Sequence, residues 1–224
     1  MIAIDSISKN FGNNYALKNT TFSIAHGEIV GLIGPNGSGK TTLLNILIGT
    51  IYPTVGKFTI EQHTKMGMAV SRLGFFEDMT VDNNLSMYAK LTGTNESRLI
   101  ELMNHFHIDY KSKKYGKISA GMKQRVSLIT AFLNNYDLIL LDEPFNHLDV
   151  DSIVALRNLM IDLKRSNTSF LITSHVLSDM EKICDRFLFL KDGFILSNEN
   201  KDSLLQKFES IENAYFEIFN RREE

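Results

Sequence analysis

The residues Gly34-Pro35-Asn36-Gly37-Ser38-Gly39-Lys40-Thr41 fit the pattern G-x-x-x-x-G-K-[ST]. Its glycines let the backbone fold so that successive N–H groups point inward, which suits the oxygens of a phosphate chain. A helix starting near Lys40 adds the positive end of its dipole. Lys40 would reach the β- and γ-phosphates of a nucleotide, and the Thr41 hydroxyl would hold Mg²⁺. The pattern lies between an apolar run, Glu28 to Ile33, and a helical stretch, Thr41 to Ile48. An ordinary glycine turn does not need that context, whereas a phosphate-binding loop does.

Two further constellations share this layout of apolar strand followed by polar residues. Leu138-Ile139-Leu140-Leu141 ends in Asp142-Glu143-Pro144. In a parallel α/β sheet the carboxyl ends of the strands face the ligand crevice. Asp142 would sit beside the metal through a bound water, and Glu143 would orient or deprotonate an attacking water. Phe170-Leu171-Ile172-Thr173-Ser174 leads to His175, which could hydrogen-bond the γ-phosphate. His105 and His107 are two apart and would face different ways on a helix, a poor metal pair. They read, with His26 and His63, as surface or structural residues.

The elements that must position these groups are legible in outline. Met1 to Ile7 alternates apolar and polar residues and reads as a strand, and Lys9 to Asn14 as a turn cluster. Ala16 to Ile24 and Glu28 to Ile33 read as strands, and Gly49 closes the helix after the glycine loop. Tyr52 to Gly56 reads as a turn. From Val81 to Ala131 apolar residues recur at helical spacing: Leu85, Tyr88 and Leu91, then Leu99, Leu102 and Phe106, then Val126, Ile129 and Phe132. Beyond lie strands at Leu138–Leu141 and Phe170–Thr173, separated by a helix from about Ser152 to Lys164. The last strand expected is Arg186–Leu190, followed by one helix over 201–220. Strands alternating with helices give an open, parallel α/β sheet.

Composition narrows the function classes. A chain of 224 residues, 43% hydrophobic, suits one compact domain with its own core, or a core plus a small subdomain. A net charge of −2 gives nucleic-acid binding no electrostatic support. The single cysteine, Cys184, reads as a small buried apolar residue in a reducing setting. Residues 1–9 show no basic region followed by an apolar run, so no signal peptide is expected. No stretch approaches the roughly 20 apolar residues of a membrane span, so any membrane would be crossed by another chain.

Ile118-Ser119-Ala120-Gly121-Met122-Lys123-Gln124-Arg125 resembles the signature of the ABC (ATP-binding cassette) transporter ATPases, usually L-S-G-G-Q followed by basic and polar residues. The resemblance extends over nearly the whole chain. It implies a P-loop NTPase (RecA-like) core with a mostly parallel sheet, an N-terminal antiparallel β subdomain and an inserted helical subdomain. The implied boundaries are core 1–75 and 132–200, with helices at about 76–131. The implied nucleotide set is Gly34, Pro35, Asn36, Gly37, Ser38, Gly39, Lys40, Thr41, Thr42 and Asp142, with Phe11 stacking on adenine. Tyr15 is an alternative to Phe11, and either could belong to the core. Ser119 and Gly121 would contact ATP held by a second subunit, Glu143 and His175 would be catalytic, and Asn146-His147-Leu148-Asp149 resembles the family's D-loop. Asp149 could equally cap the following helix, as Ser119 could cap its own.

The resemblance further implies ATP and Mg²⁺ as cofactors and a second ABC ATPase subunit, identical or not. It also implies a transmembrane permease and a place on the cytoplasmic face of the membrane. Gln124-Arg125 and the compact length look most like exporter-type subunits, including those for peptides, drugs or bacteriocin immunity. The sequence departs from the family at Ala120 and Met122, and at Ser71, which stands where a glutamine is usual. These departures admit a hydrolysis-impaired regulatory cassette of a heteromeric pair. A soluble, non-transport ABC ATPase is the other alternative, but the long coiled-coil insertions or paired cassettes usual there are missing.

Overall fold

A computed structural model describes residues 2–69 and 74–220. They fall into two compact units, one within 1–64 and 169–224 and the other within 65–168.

The first unit contains two sheets. β1 (Ile2–Phe11), β2 (Asn14–Ile24) and β4 (Val55–Ile60) form an antiparallel sheet in the order β2-β1-β4. Ile2 pairs with both Ile24 and Ile60. β1 runs through Phe11, so the expected turn cluster shrinks to Gly12 and Asn13. In the second sheet β3 (Ile29–Ile33) lies between β7 (Ser169–Thr173) and β8 (Arg186–Lys191), parallel to both. All residues of β3 and β7 are buried, which accounts for their unbroken apolar runs. β9 (Phe194–Asn200), not anticipated from the sequence, pairs antiparallel with β8 across the Asp192-Gly193 turn. Cys184 is fully buried, as expected.

Among the described residues four helices complete this unit: α1 (Lys40–Leu47), α6 (Leu177–Ile183), α7 (Lys201–Phe208) and α8 (Ile211–Asn220). The single tail helix expected over 201–220 is therefore two. The break falls at Glu209, whose φ of 67° ends α7. Asn213 donates its side-chain amide to the Phe208 carbonyl, holding the corner.

In the second unit β5 (Met66–Ala69) runs parallel to β6 (Leu138–Asp142), with Met66 opposite Leu138. The helices are α2 (Val81–Thr92), α3 (Glu96–His105), α4 (Ala120–Ala131) and α5 (Val150–Arg165). Each begins on a capping side chain: Thr80, Asn95, Ser119 and Asp149 accept from the N–H three residues on. Leu85, Leu99, Leu102, Phe106, Val126, Ile129 and Phe132 are buried, as their spacing requires. Leu91 departs from that pattern and is 75% exposed, one residue before the end of α2.

Candidate functional site

In the first unit, buried β3 delivers the chain to the loop Gly34–Gly39, and α1 begins at Lys40. Gly39 caps α1 with φ 113° and ψ 0°, a conformation closed to residues with a side chain. A methyl there would also lie 2.4 Å from the Ala16 carbonyl oxygen. The loop is fixed by Ser38 N–H donating to Pro35 (3.2 Å) and by Gly193 N–H donating to Ser38 (3.1 Å). Lys40 Nζ donates to the carbonyls of Gly34 (2.7 Å) and Pro35 (3.2 Å), folding back over the loop. Ser38 Oγ is buried without a hydrogen-bond partner among the described residues, a polar atom that a phosphate oxygen would satisfy. Pro35, Asn36, Gly37 and Thr41 are exposed, and Gly34 and Thr42 are half-buried.

His175 follows β7 in the same unit and is exposed, while the buried Ser174 accepts the Val176 N–H at 2.9 Å. Phe11 is 53% and Tyr15 56% exposed, so neither belongs to the core. Both lie beside the β1–β2 turn, and the Lys9 ammonium lies 5.0 Å from the Phe11 ring centroid.

The second unit holds the acidic strand end. Asp142 closes β6 and is half-buried. Glu143 follows with φ 51°, the left-handed region that non-glycine residues seldom adopt. Asn146 N–H donates to the Glu143 carbonyl at 3.2 Å, closing a turn. The Gln124 side-chain amide donates to the carbonyls of Pro144 (3.1 Å) and Glu143 (3.4 Å). Asp149 ends the loop, accepting the Ser152 N–H at 2.8 Å as the cap of α5. Hydrogen bonds from Ser152 hold the Asp149 carboxyl below the usual aspartate range, with the Arg125 charge helping.

α4 carries the Ser119-Ala120-Gly121 segment at its N-terminus. Ser119 Oγ accepts the Met122 N–H at 3.3 Å. A methyl on Gly121 would lie 2.4 Å from the His147 carbonyl oxygen, so only glycine lets helix and loop approach this closely. Arg125 donates to Asp149 (3.2 Å) and to the Ser152 hydroxyl (3.3 Å). Successive residues of α4 thus hold the 143–149 loop along its length. Sequence reasoning assigned no such role to Gln124 or Arg125, because their partners lie 19 to 27 positions away.

A charge pattern sets two helices apart. The first turns of α2, α3, α5, α6, α7 and α8 each contain an acidic residue. Those of α1 and α4 contain none. Their dipole ends are therefore left positive, as an external anion requires.

The remaining histidines are placed as structural or surface groups. His105 Nε2 lies 3.1 Å from the Ala155 carbonyl, and exposed His26 pairs with Glu61 at 2.8 Å. Ser71 lies outside the described residues.

Comparison with known proteins bears on the family and the fold. A profile of the ABC transporter family matches residues 17–146. The lantibiotic transport ATP-binding protein SrtF of Streptococcus pyogenes is 30% identical, over 90% of this chain and 92% of its own. The bacitracin transport ATP-binding protein BcrA of Bacillus licheniformis is 32% identical, over 92% of this chain and 72% of its own. The solved ATP-binding subunit of an ABC transporter superposes with a TM-score of 0.89 at 28% identity, covering 98% of this chain and all of that one.

Proposed function

The chain belongs to the ABC transporter family as an ATP-binding subunit, and from that premise we propose that it hydrolyses ATP to drive export of a peptide-class compound. The observation that carries the proposal is the pair of acid-free helix starts, α1 behind the Gly34–Gly39 loop and α4 behind Ser119. One suits the phosphates of the chain's own nucleotide, and the other suits those of a nucleotide held by a second subunit.

In this reading the loop N–H groups and Lys40 grip the β- and γ-phosphates, and Phe11 stacks on the adenine. Thr41 and Asp142 are the proposed ligands of Mg²⁺, which would neutralise charge on the phosphates. Glu143 accepts a proton from the attacking water as the water oxygen bonds to the γ-phosphorus. The bond from that phosphorus to the β–γ bridging oxygen breaks, leaving ADP and inorganic phosphate. His175 donates to the γ-phosphate and holds the water in line. Ser119 and Gly121 contact ATP on the second subunit, so two cassettes close around two nucleotides and part after hydrolysis. A transmembrane permease, contacted through the helices at about 76–131, would receive that motion on the cytoplasmic face. Transport of lantibiotics and bacitracin by the named relatives supports the peptide class.

Phosphate release by the purified chain with Mg·ATP tests the proposal. Glu143→Gln should abolish release and accumulate an ATP-bound dimer on gel filtration. Release at the parent rate from that variant overturns the assignment of the base. A heteromeric pair is the second reading, favoured by Ala120 and Met122 where the family carries glycine and glutamine. In that case the chain alone hydrolyses slowly and a co-expressed second cassette restores the rate.

A further inference from the structure

We propose that Gln124 is a positioning residue for hydrolysis: its side-chain amide fixes the peptide units of Glu143 and Pro144 and so aims the Glu143 carboxylate. The proposal rests on the assignment of Glu143 as the base.

Glu143 has φ 51°. A non-glycine residue stays there only when its surroundings impose it. Pro144 disfavours the right-handed helical alternative for the residue before it. The extended region remains open, and it would swing the carboxylate away from its present direction. The Asn146 N–H and the Gln124 amide both hold the turn against that relaxation. The Asn146 N–H donates to the Glu143 carbonyl at 3.2 Å. The Gln124 amide donates to Pro144 at 3.1 Å and to Glu143 at 3.4 Å.

The donor side of that amide is fixed by chemistry, since both partners are carbonyl oxygens and only the NH₂ group can face them. The next residue secures the far end of the same loop, because Arg125 donates to Asp149 and Ser152. Gln124 lies in the second turn of α4, whose first turn begins on Ser119. The helix that would read the second subunit's phosphate thus also holds the turn bearing the base. A shift of α4 on closure would reach Glu143 through the Gln124 side chain.

The test compares Gln124→Met, which keeps length but removes the donor, with Gln124→Lys, which keeps a donor, in the full chain. Gln124→Met should lower kcat by about tenfold to a hundredfold, the scale of a misplaced catalytic group, while ATP affinity stays within about twofold. Gln124→Lys should recover most of that loss. Hydrogen exchange over 143–149 should quicken in Gln124→Met, most at the Asn146 amide. Parent-level turnover in Gln124→Met overturns the proposal, as does equal loss in both variants. Should the parent itself release no phosphate, the ATPase reading fails on its own. Exchange at Asn146 then decides for Gln124, and an unchanged rate in Gln124→Met overturns it.

Discussion

The Lys40 ammonium lies 2.7 Å from the carbonyl oxygen of Gly34, so the first residue of α1 bonds the residue that opens the glycine loop. On the proposed reading, nucleotide binding exchanges this neutral acceptor for charged phosphate oxygens. Charge-assisted bonds of that kind are roughly twice as strong as neutral ones, so the exchange favours binding.

Lys40→Ala is therefore expected to weaken Mg·ATP binding by about tenfold to a hundredfold, the worth of a hydrogen bond to a charged group. Isothermal titration calorimetry measures this directly. Affinity equal to the parent's would remove Lys40 from the site.

Gly121→Ala carries a prediction whose sign runs against helix propensity. In an exposed helix interior the substitution ordinarily stabilises by about 1 kcal/mol. Here the new methyl would meet the His147 carbonyl at 2.4 Å. That neighbour is backbone and cannot swing aside as a side chain would, so overpacking should destabilise by about 1–3 kcal/mol. Urea unfolding should show the loss. Ala120→Gly, at an exposed position one residue earlier, should cost no more than about 1 kcal/mol.

The contrast between these neighbours shows what the sequence could reveal. The placement of Gly34–Thr41, Asp142-Glu143 and His175 at the ends of strands β3, β6 and β7 is legible, because the phosphate chemistry proposed for them would demand fixed residue types there. β3, β6 and β7 were legible for the same reason, being apolar throughout. β9 was not, since exposed and half-buried residues alternate along it and two of its three apolar members, Phe194 and Leu196, lie on the exposed side. β4 contains Gly56 and Lys57 and is mostly exposed, so it read as part of a turn. The break at Glu209 carries no glycine to mark it. The positive φ of Glu143 and its tie to Gln124 arise only when segments 19 residues apart come together.

Glu28 and Arg186 form a fork-to-fork pair, Nε to Oε1 at 2.6 Å and Nη2 to Oε2 at 3.0 Å. Both side chains are largely shielded, at 16% and 14% exposure. Glu28 also accepts the Ala25 N–H, and Arg186 also reaches Asn198 and the Ser23 carbonyl. Removing one partner leaves the other charge shielded and unmatched. Glu28→Gln should therefore destabilise the chain by about 3 kcal/mol, read from the denaturation midpoint. Arg186→Lys should lose part of that stability, because an ammonium cannot reproduce the planar fork.

Tyr115 gives the chain an alkaline limit. Burial, chiefly, with the negative charge of Glu77 next, pushes its phenol from 10.0 to about 12. Its ring stacks on Phe75 at 4.7 Å, and the Lys123 ammonium lies 5.0 Å from its centroid. Between pH 10.0 and about 12 the folded chain keeps a proton that the unfolded chain releases. Stability therefore falls as pH rises through that window and is unaffected below it. Tyr115→Phe removes the proton and should move the midpoint of base-induced unfolding upward, with stability at neutral pH little changed. Near-ultraviolet titration of the phenolates should also show one fewer late-ionising tyrosine. The remaining late ones are Tyr88, Tyr110 and Tyr136, each raised by burial. An unmoved unfolding midpoint in Tyr115→Phe would mean that its phenol ionises alike in the folded and unfolded chain.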